Sequence, residues 1–400
     1  MKSSVLQARN GAAWVSTGVF LAGLLFAAIQ AKAATPTYYW DTNGSDYGPG
    51  NPPTADWYEH TPCWTSDFYG TSPTFECPSR AHFVFAAAGD AYWSDTDNYT
   101  VTVHRIAQVS DLQFKDGNCT LITPPGYYLD KDTPFISVLN DGQTATINSV
   151  IASMTGTSNG ITKYAWGTLV LGSTNTYRGP TTIEGGTLRL AAPQVLPPTS
   201  TLVLAGGDTR PEAGYMTSPT FGTGGYSQTL GPLLLTGPYT NLVHTIDFGH
   251  GASALAFADS HTQDWGGITL RLVNYKRGVD SLRFGTNDAG LTAAQLSLIR
   301  FADFLEVPGR IDANGFVTPV PPPTLSIKPT GSDRMVLTWG AIDGRSYNIQ
   351  NKATLKDANW RTNSIQDVIA TNNTASFTDN IGTNRSRFYR VLLRPVAINN

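Results

Sequence analysis

A short run, Gly-Thr-Leu-Val-Leu-Gly at 167–172, returns as Gly-Thr-Leu-Arg-Leu-Ala at 186–191 and as Ser-Thr-Leu-Val-Leu-Ala at 200–205, and more loosely as Ile-Thr-Leu-Arg-Leu at 268–272. Each copy places leucine at alternate positions, so each predicts a strand with one apolar face and one face of Thr, Val or Arg. The first two copies lie 19 residues apart and the next pair 14. Two architectures satisfy this spacing. In a β-solenoid each coil cannot bury its own apolar face and stacks on the next; in a sandwich, ordinary strands merely share an amphipathic pattern.

The rest of the chain reads the same way. Alternation at 81–85, 99–103, 109–114, 135–139 and 145–151 predicts further short strands separated by Gly, Asn or Asp. The composition, with 39 Gly, 25 Pro and only 14% charged residues, suits many turns and few helices. At the N-terminus, Lys2 and Arg9 precede an apolar run at 15–29 that ends in Ala31-Lys32-Ala33. That is the layout of a secretory leader, 1–33, cleaved after Ala33. The run is shorter than the roughly 20 residues a membrane-crossing helix needs, so no transmembrane segment is expected in the mature chain. Cleavage removes Lys2, Arg9 and Lys32 and no acidic residue, moving the net charge from −3 to −6. Such a chain is not drawn to nucleic acid.

The stretch 160–190 carries a resemblance. Lys163, Gly167, Thr168, Leu169 and Leu171, then Asn175, Thr176, Tyr177, Gly179, Thr181 and Thr182, then Gly186, Thr187 and Leu188 fall in the register of the autotransporter-associated β-strand repeat. Pro180 stands where that repeat commonly has glycine. The resemblance implies a secreted or surface-exposed bacterial protein whose fold is all-β, a short right-handed parallel β-helix. One well-formed repeat is visible, at about 160–191, and no translocator barrel follows it. Secretion through a barrel of its own is therefore not expected, and the route of export stays open.

Thr292-Ala293-Ala294-Gln295 reads as a capping box, with Leu291, Leu296, Ile299 and Phe301 as an apolar stripe, and predicts one helix that closes the stack. The run Val-Thr-Pro-Val-Pro-Pro-Pro-Thr at 317–324 cannot continue a sheet and favours extended geometry. Alternating segments then follow at 325–327, 335–339, 346–350, 375–377 and 387–392. They resemble a small fibronectin type III-like β-sandwich with Trp339, Tyr347, Trp360 and Tyr389 as core aromatics. The expected organisation is a leader at 1–33, a β-helix-like domain at 34–318, a proline-rich linker at 319–324 and a sandwich at 325–395.

Chemistry-bearing constellations are sparse. No nucleophile elbow, zinc-protease helix, P-loop or Cys-x-x-Cys occurs. A polysaccharide-cleaving β-helix would need paired carboxylates across a groove. The candidates are Asp247, Asp259, Asp264 and Asp280 with Arg271 and Arg277, and none sits in a motif. His244 and His250, which would share a strand face, are about 20 Å apart along an extended strand, too far to share an ion. Asp95-Thr96-Asp97-Asn98 lacks the Gly and distal Glu of a calcium loop. No catalytic residue, metal or cofactor is therefore expected.

Cys63 and Cys77 bracket an aromatic loop and are the expected disulfide, worth about 3 kcal/mol, leaving Cys119 over. Along the wider aromatic stretch from Tyr38 to Tyr69, Trp40, Trp57, Tyr58, Trp64 and Tyr69 are the expected ligand-binding rings, since aromatic faces stack on sugars and anchor protein interfaces. The competing role for any one ring is to cap the first coil. The functional expectation is a secreted or cell-surface structural and adhesive protein whose partner is a cell-surface polysaccharide or protein. The alternatives are a polysaccharide-active enzyme and a non-catalytic carbohydrate-binding protein.

Overall fold

The structure, a computed structural model, describes residues 35–76, 79–86, 98–207, 218–238, 243–362, 367–382 and 387–395. The expected leader, Cys77 and the Asp95 to Asp97 turn lie outside the described residues. The fold is almost all β. Two long sheets dominate it, and the chain visits them in turn. One sheet runs, neighbour by neighbour, through Thr37–Trp40, Ala81–Phe85, Ala107–Phe114, Phe135–Val138, Ile161–Tyr164, Thr181–Ile183, Leu202–Leu204 and Leu233–Leu235. The other runs through Ala55–Trp57, Asn98–Val103, Asn118–Ile122, Thr144–Asn148, Thr168–Leu171, Thr187–Leu190, Thr220–Gly222, Val243–Asp247, Thr269–Val273 and Ile299–Phe301. Apart from Trp64–Thr65, which pairs antiparallel with Thr37–Trp40, the pairings in both are parallel. A third parallel sheet, Gln228–Leu230, Ala254–Phe257 and Ser281–Phe284, joins them late in the stack.

The leucine period explains the packing. Leu169 and Leu171 pair in register with Leu188 and Leu190, and all four are buried. Each buried leucine contributes about 1.5–3 kcal/mol, gained only because the next circuit covers it. The copy at 200–205, however, does not continue that ladder. Leu202–Leu204 pairs with Thr181–Ile183 in the opposite sheet, and Thr187–Leu190 is followed by Thr220–Gly222. The 14-residue interval is thus a half-circuit from one sheet to the other.

Three other expectations shift. The segment 145–151 is two strands, Thr144–Asn148 in one sheet and Ile151–Ser153 in the other, with a corner between them. The capping box forms as expected, Gln295 N donating to Thr292 Oγ1 at 3.1 Å and Thr292 N to Gln295 Oε1 at 2.8 Å. The helix spans only Ala293–Leu298; Ile299 and Phe301, assigned to its stripe, belong to a strand that pairs with Thr269–Val273. The proline-rich run also starts later than its sequence suggests, because Val317–Pro319 forms an antiparallel pair with Gly309–Ile311. Pro319 is tolerated in a strand of this two-stranded edge. No helix among the described residues is long and apolar enough to cross a membrane.

Beyond residue 324 the strand pairings among the described residues are all antiparallel. Leu325–Pro329, Arg334–Gly340 and Thr374–Asn380 form one sheet; Ser346–Lys352 joins Arg361–Thr362 and Val368–Ile369 on one side and Phe388–Leu393 on the other. Trp339 and Tyr347 are buried between these strands as expected, with Leu337 and Ile349. Trp360 is not in this core. It is half-buried, with Lys352 Nζ 4.7 Å and the Arg390 guanidinium 4.5 Å from its ring. Tyr389 is also half-buried and donates from its hydroxyl to Asp379 at 2.6 Å.

The polar residues of the repeat knit one circuit to the next. Asn175 accepts from Ile151 N at 2.8 Å and donates to Val195 O at 2.9 Å, so one amide ties the circuit before it to the turn after it. Tyr177, Thr181 and Ser200 join hydroxyl to hydroxyl at 2.6 and 2.9 Å. Gly186 sits at φ +62°, and a Cβ there would fall 2.5 Å from the carbonyl oxygens of Ala165 and Gly167. Gly186→Ala is therefore expected to cost at least about 2 kcal/mol through strain and lost contact. Chemical denaturation checks this; a midpoint within error of the parent would show that the two turns can move apart.

Candidate functional site

The aromatic segment 38–69 separates into a buried set and an exposed set. Trp40 and Trp64 face each other in the antiparallel pair at the sheet edge, and Trp57 comes from the first strand of the opposite sheet. Their rings meet at centroid distances of 5.2 Å for Trp40–Trp64 and 4.9 Å for Trp57–Trp64, over Phe83 and Phe85. All three indoles are at most 1% exposed. They close the first layer of the core, which would otherwise open to water. The expectation that Trp40, Trp57 and Trp64 meet a ligand is corrected on this burial: no ring face is left to stack on.

Tyr58 and Tyr69 are exposed, at 43% and 55%. The fold adds Tyr47 and Phe68, which the sequence did not single out, because nothing local to either residue tells a cap from an outward ring. Tyr47 stacks on Tyr69 at 6.2 Å and 25°, and Phe68 meets Tyr69 edge-on at 5.0 Å. Lys115 Nζ lies 3.9 Å from the Phe68 ring centre. Tyr58 stands apart from this group, stacked on His104 at 4.2 Å.

The tyrosine loop is held from within. Asp67 accepts from Tyr69 N at 3.1 Å, Thr71 N at 2.8 Å and Thr71 Oγ1 at 2.6 Å. These bonds, the Thr71 hydroxyl first, hold its carboxyl below the usual range. Gly48 N donates to Tyr69 O at 3.0 Å, bringing the Tyr47 loop beside it. Beneath, Asp41 is buried and its pKa is pushed up to about 6, chiefly by desolvation. A ring pair ordered in advance by such bonds loses little entropy when a ligand stacks on it.

The other sequence candidates do local work. Asp247 accepts from Gly249 N and Asn274 Nδ2, Asp264 from Gly266 N, and Asp280 from Ser253 N and Lys276 N. Asp259 pairs with His261 at 2.6 Å. Arg271 binds Glu306 at 2.9 Å, and Arg277 stands by the prolines at 319–324. His244 points into the core while His250 is exposed, so the structure does not bring them together. No group of three or more His, Cys, Asp or Glu that could hold a metal occurs among the described residues. Cys63 and Cys119 are both buried, and burial pushes the Cys119 thiol pKa well up, making it a poor nucleophile.

Comparison with known proteins agrees with the repeat's register. The Passenger-associated-transport-repeat family model matches residues 162–190, the circuit tied together by Asn175 and Tyr177. Over 175 residues the chain is 29% identical to a protein named Adhesin BmaC autotransporter, from Brucella suis biovar 1 (strain 1330). That stretch is 44% of this chain and 5% of the relative, so the chain corresponds to a small part of the relative's length. No solved structure matches.

Proposed function

We propose that this chain is a secreted or cell-surface adhesive protein that binds a surface polysaccharide or protein through its exposed tyrosine loops and performs no catalysis. In this reading the leader 1–33 directs export. Residues 34–318 are a short right-handed parallel β-helix, and 319–324 link it to a fibronectin type III-like sandwich at 325–395. Cys63 and Cys77 pair to brace the aromatic loop. The alternating parallel sheets support the first domain, and the two wholly antiparallel sheets formed by the strands after residue 324 support the second. The observation that carries the adhesive reading is the likeness to an adhesin together with the repeat at 162–190. The preordered Tyr47–Tyr69 stack supplies the contact surface.

A glycan-array binding measurement, run beside a reducing-end release assay on the same polysaccharides, tests it. Binding without release is expected. Tyr47→Ser with Tyr69→Ser should weaken binding about tenfold, from roughly 0.5–1.5 kcal/mol per stacked ring. Release of sugar ends would overturn the reading and point to the region from Asp247 to Asp280.

A further inference from the structure

The charge of this protein is divided along its length. Residues 35–324 carry 14 basic and 25 acidic side chains, net −11, whereas residues 325–400 carry ten basic and five acidic ones, net +5. Within the cationic part the basic side chains are spent differently. Arg387 pairs with Asp379 and Arg394 with Asp367, while Arg345 is tied to the backbone carbonyls of Leu305, Glu306 and Arg394. Lys352 and Arg390 converge on the Trp360 ring.

The strand register explains this arrangement. Gln350 and Lys352 alternate with the buried Ile349, and they lie opposite Arg390 and Phe388 on the neighbouring strand. All four therefore share the face turned away from the core. Arg390 Nε donates to Gln350 Oε1 at 2.8 Å, and Lys352 Nζ donates to the carbonyls of Leu355 and Asp357. A neutral amide and an indole hold Arg390, whereas Lys352, held by carbonyls, also feels the Asp357 carboxylate, so the less compensated charge of the pair is on Arg390. The outward nitrogens of a guanidinium form a fork that matches a carboxylate or sulfate. Phe388, 37% exposed beside them, offers apolar surface to a sugar ring.

We propose that the outward face of Ser346–Lys352 and Phe388–Leu393 is a second binding surface, for an acidic polysaccharide whose carboxylate or sulfate groups seat on Lys352 and Arg390. Charge complementarity selects this occupant, and Trp360 positions the two cations. The surface is independent of the tyrosine loops, so either can fail alone.

The test is binding of the whole chain to polygalacturonate and to dextran sulfate by isothermal titration, with neutral dextran as control; the two acids separate carboxylate from sulfate recognition. Binding to at least one acid in clear excess over dextran is expected, weakening as salt rises. Lys352→Gln with Arg390→Gln should weaken it at least tenfold. Gln350→Glu places a carboxylate on Arg390 within the same face, where it neutralises the cation without opening the core. It should weaken binding about as much while leaving thermal stability at or above the parent's. Tyr47→Ser should leave this binding unchanged. Equal binding of dextran, or unchanged affinity in both the double variant and Gln350→Glu, would overturn the proposal. So would low-salt light scattering that shows self-association lost in Gln350→Glu while neither acid binds, since a second copy's acidic region would then be the occupant.

Discussion

Replacing Lys163 with methionine is expected to destabilise the protein by about 3–5 kcal/mol, the cost of removing one side of a buried charged hydrogen-bond cluster. Lys163 is fully buried, and its ammonium donates to Tyr164 O at 2.6 Å, Ala165 O at 2.9 Å and Gly185 O at 3.2 Å. The first two carbonyls belong to the corner of its own circuit, where Ala165 is held at φ 63°; the third belongs to the corner of the next. One side chain thus fastens two successive turns. Methionine fills much of the same volume but strands those carbonyls without this donor. Arg178→Ala, at an exposed position of the same repeat, should stay within about 0.5 kcal/mol of the parent. Guanidinium unfolding of the three proteins compares them directly. A loss under about 1 kcal/mol for Lys163→Met would mean that water replaces the ammonium, and the lysine's place in the repeat would then need a reason other than stability.

His244→Leu is expected to change the acid sensitivity of the fold. The His244 ring lies wholly in the core, opposite Leu270 on the next strand, and neither ring nitrogen has a hydrogen-bond partner. Burial lowers its pKa from 6.5 to about 4. The folded state therefore holds the neutral ring while the unfolded state takes up a proton first. The stability linked to this residue is fully present above pH 6.5 and is lost as pH falls from there towards 4, by about 3 kcal/mol in all. Leucine removes the term. Its advantage over histidine should thus grow by about that amount between pH 7.5 and 4.5, while Asp41 and other groups shift both proteins alike. An advantage that is constant with pH would show that the ring is protonated, or hydrated, inside the fold.

The periodic residues announced much of this architecture. Leu169, Leu171, Leu188 and Leu190 carry a pattern that only a covering layer can satisfy, and the capping box at Thr292 and Gln295 formed at its expected place. Which sheet received a given leucine run was not legible. The runs at 186–191 and 200–205 are alike in pattern, and corners such as the one between Asn148 and Ile151 are set by how far the chain must travel to reach the other sheet. The same limit governed the aromatic residues. Trp40 and Tyr47 stand in similar turn-rich surroundings, yet one is sealed and the other is open.

Sequence alone determined the strand-rich class, the repeat and its register, and the absence of any familiar catalytic motif, because alternation, turn residues and motif spacing are local properties of the chain. The tertiary structure decided which rings face water, which carbonyls Lys163 reaches and which cations meet at Trp360. Those outcomes depend on contacts between residues that are distant in sequence or on different circuits, and on the removal of water from one side of a strand rather than the other. No local pattern records them.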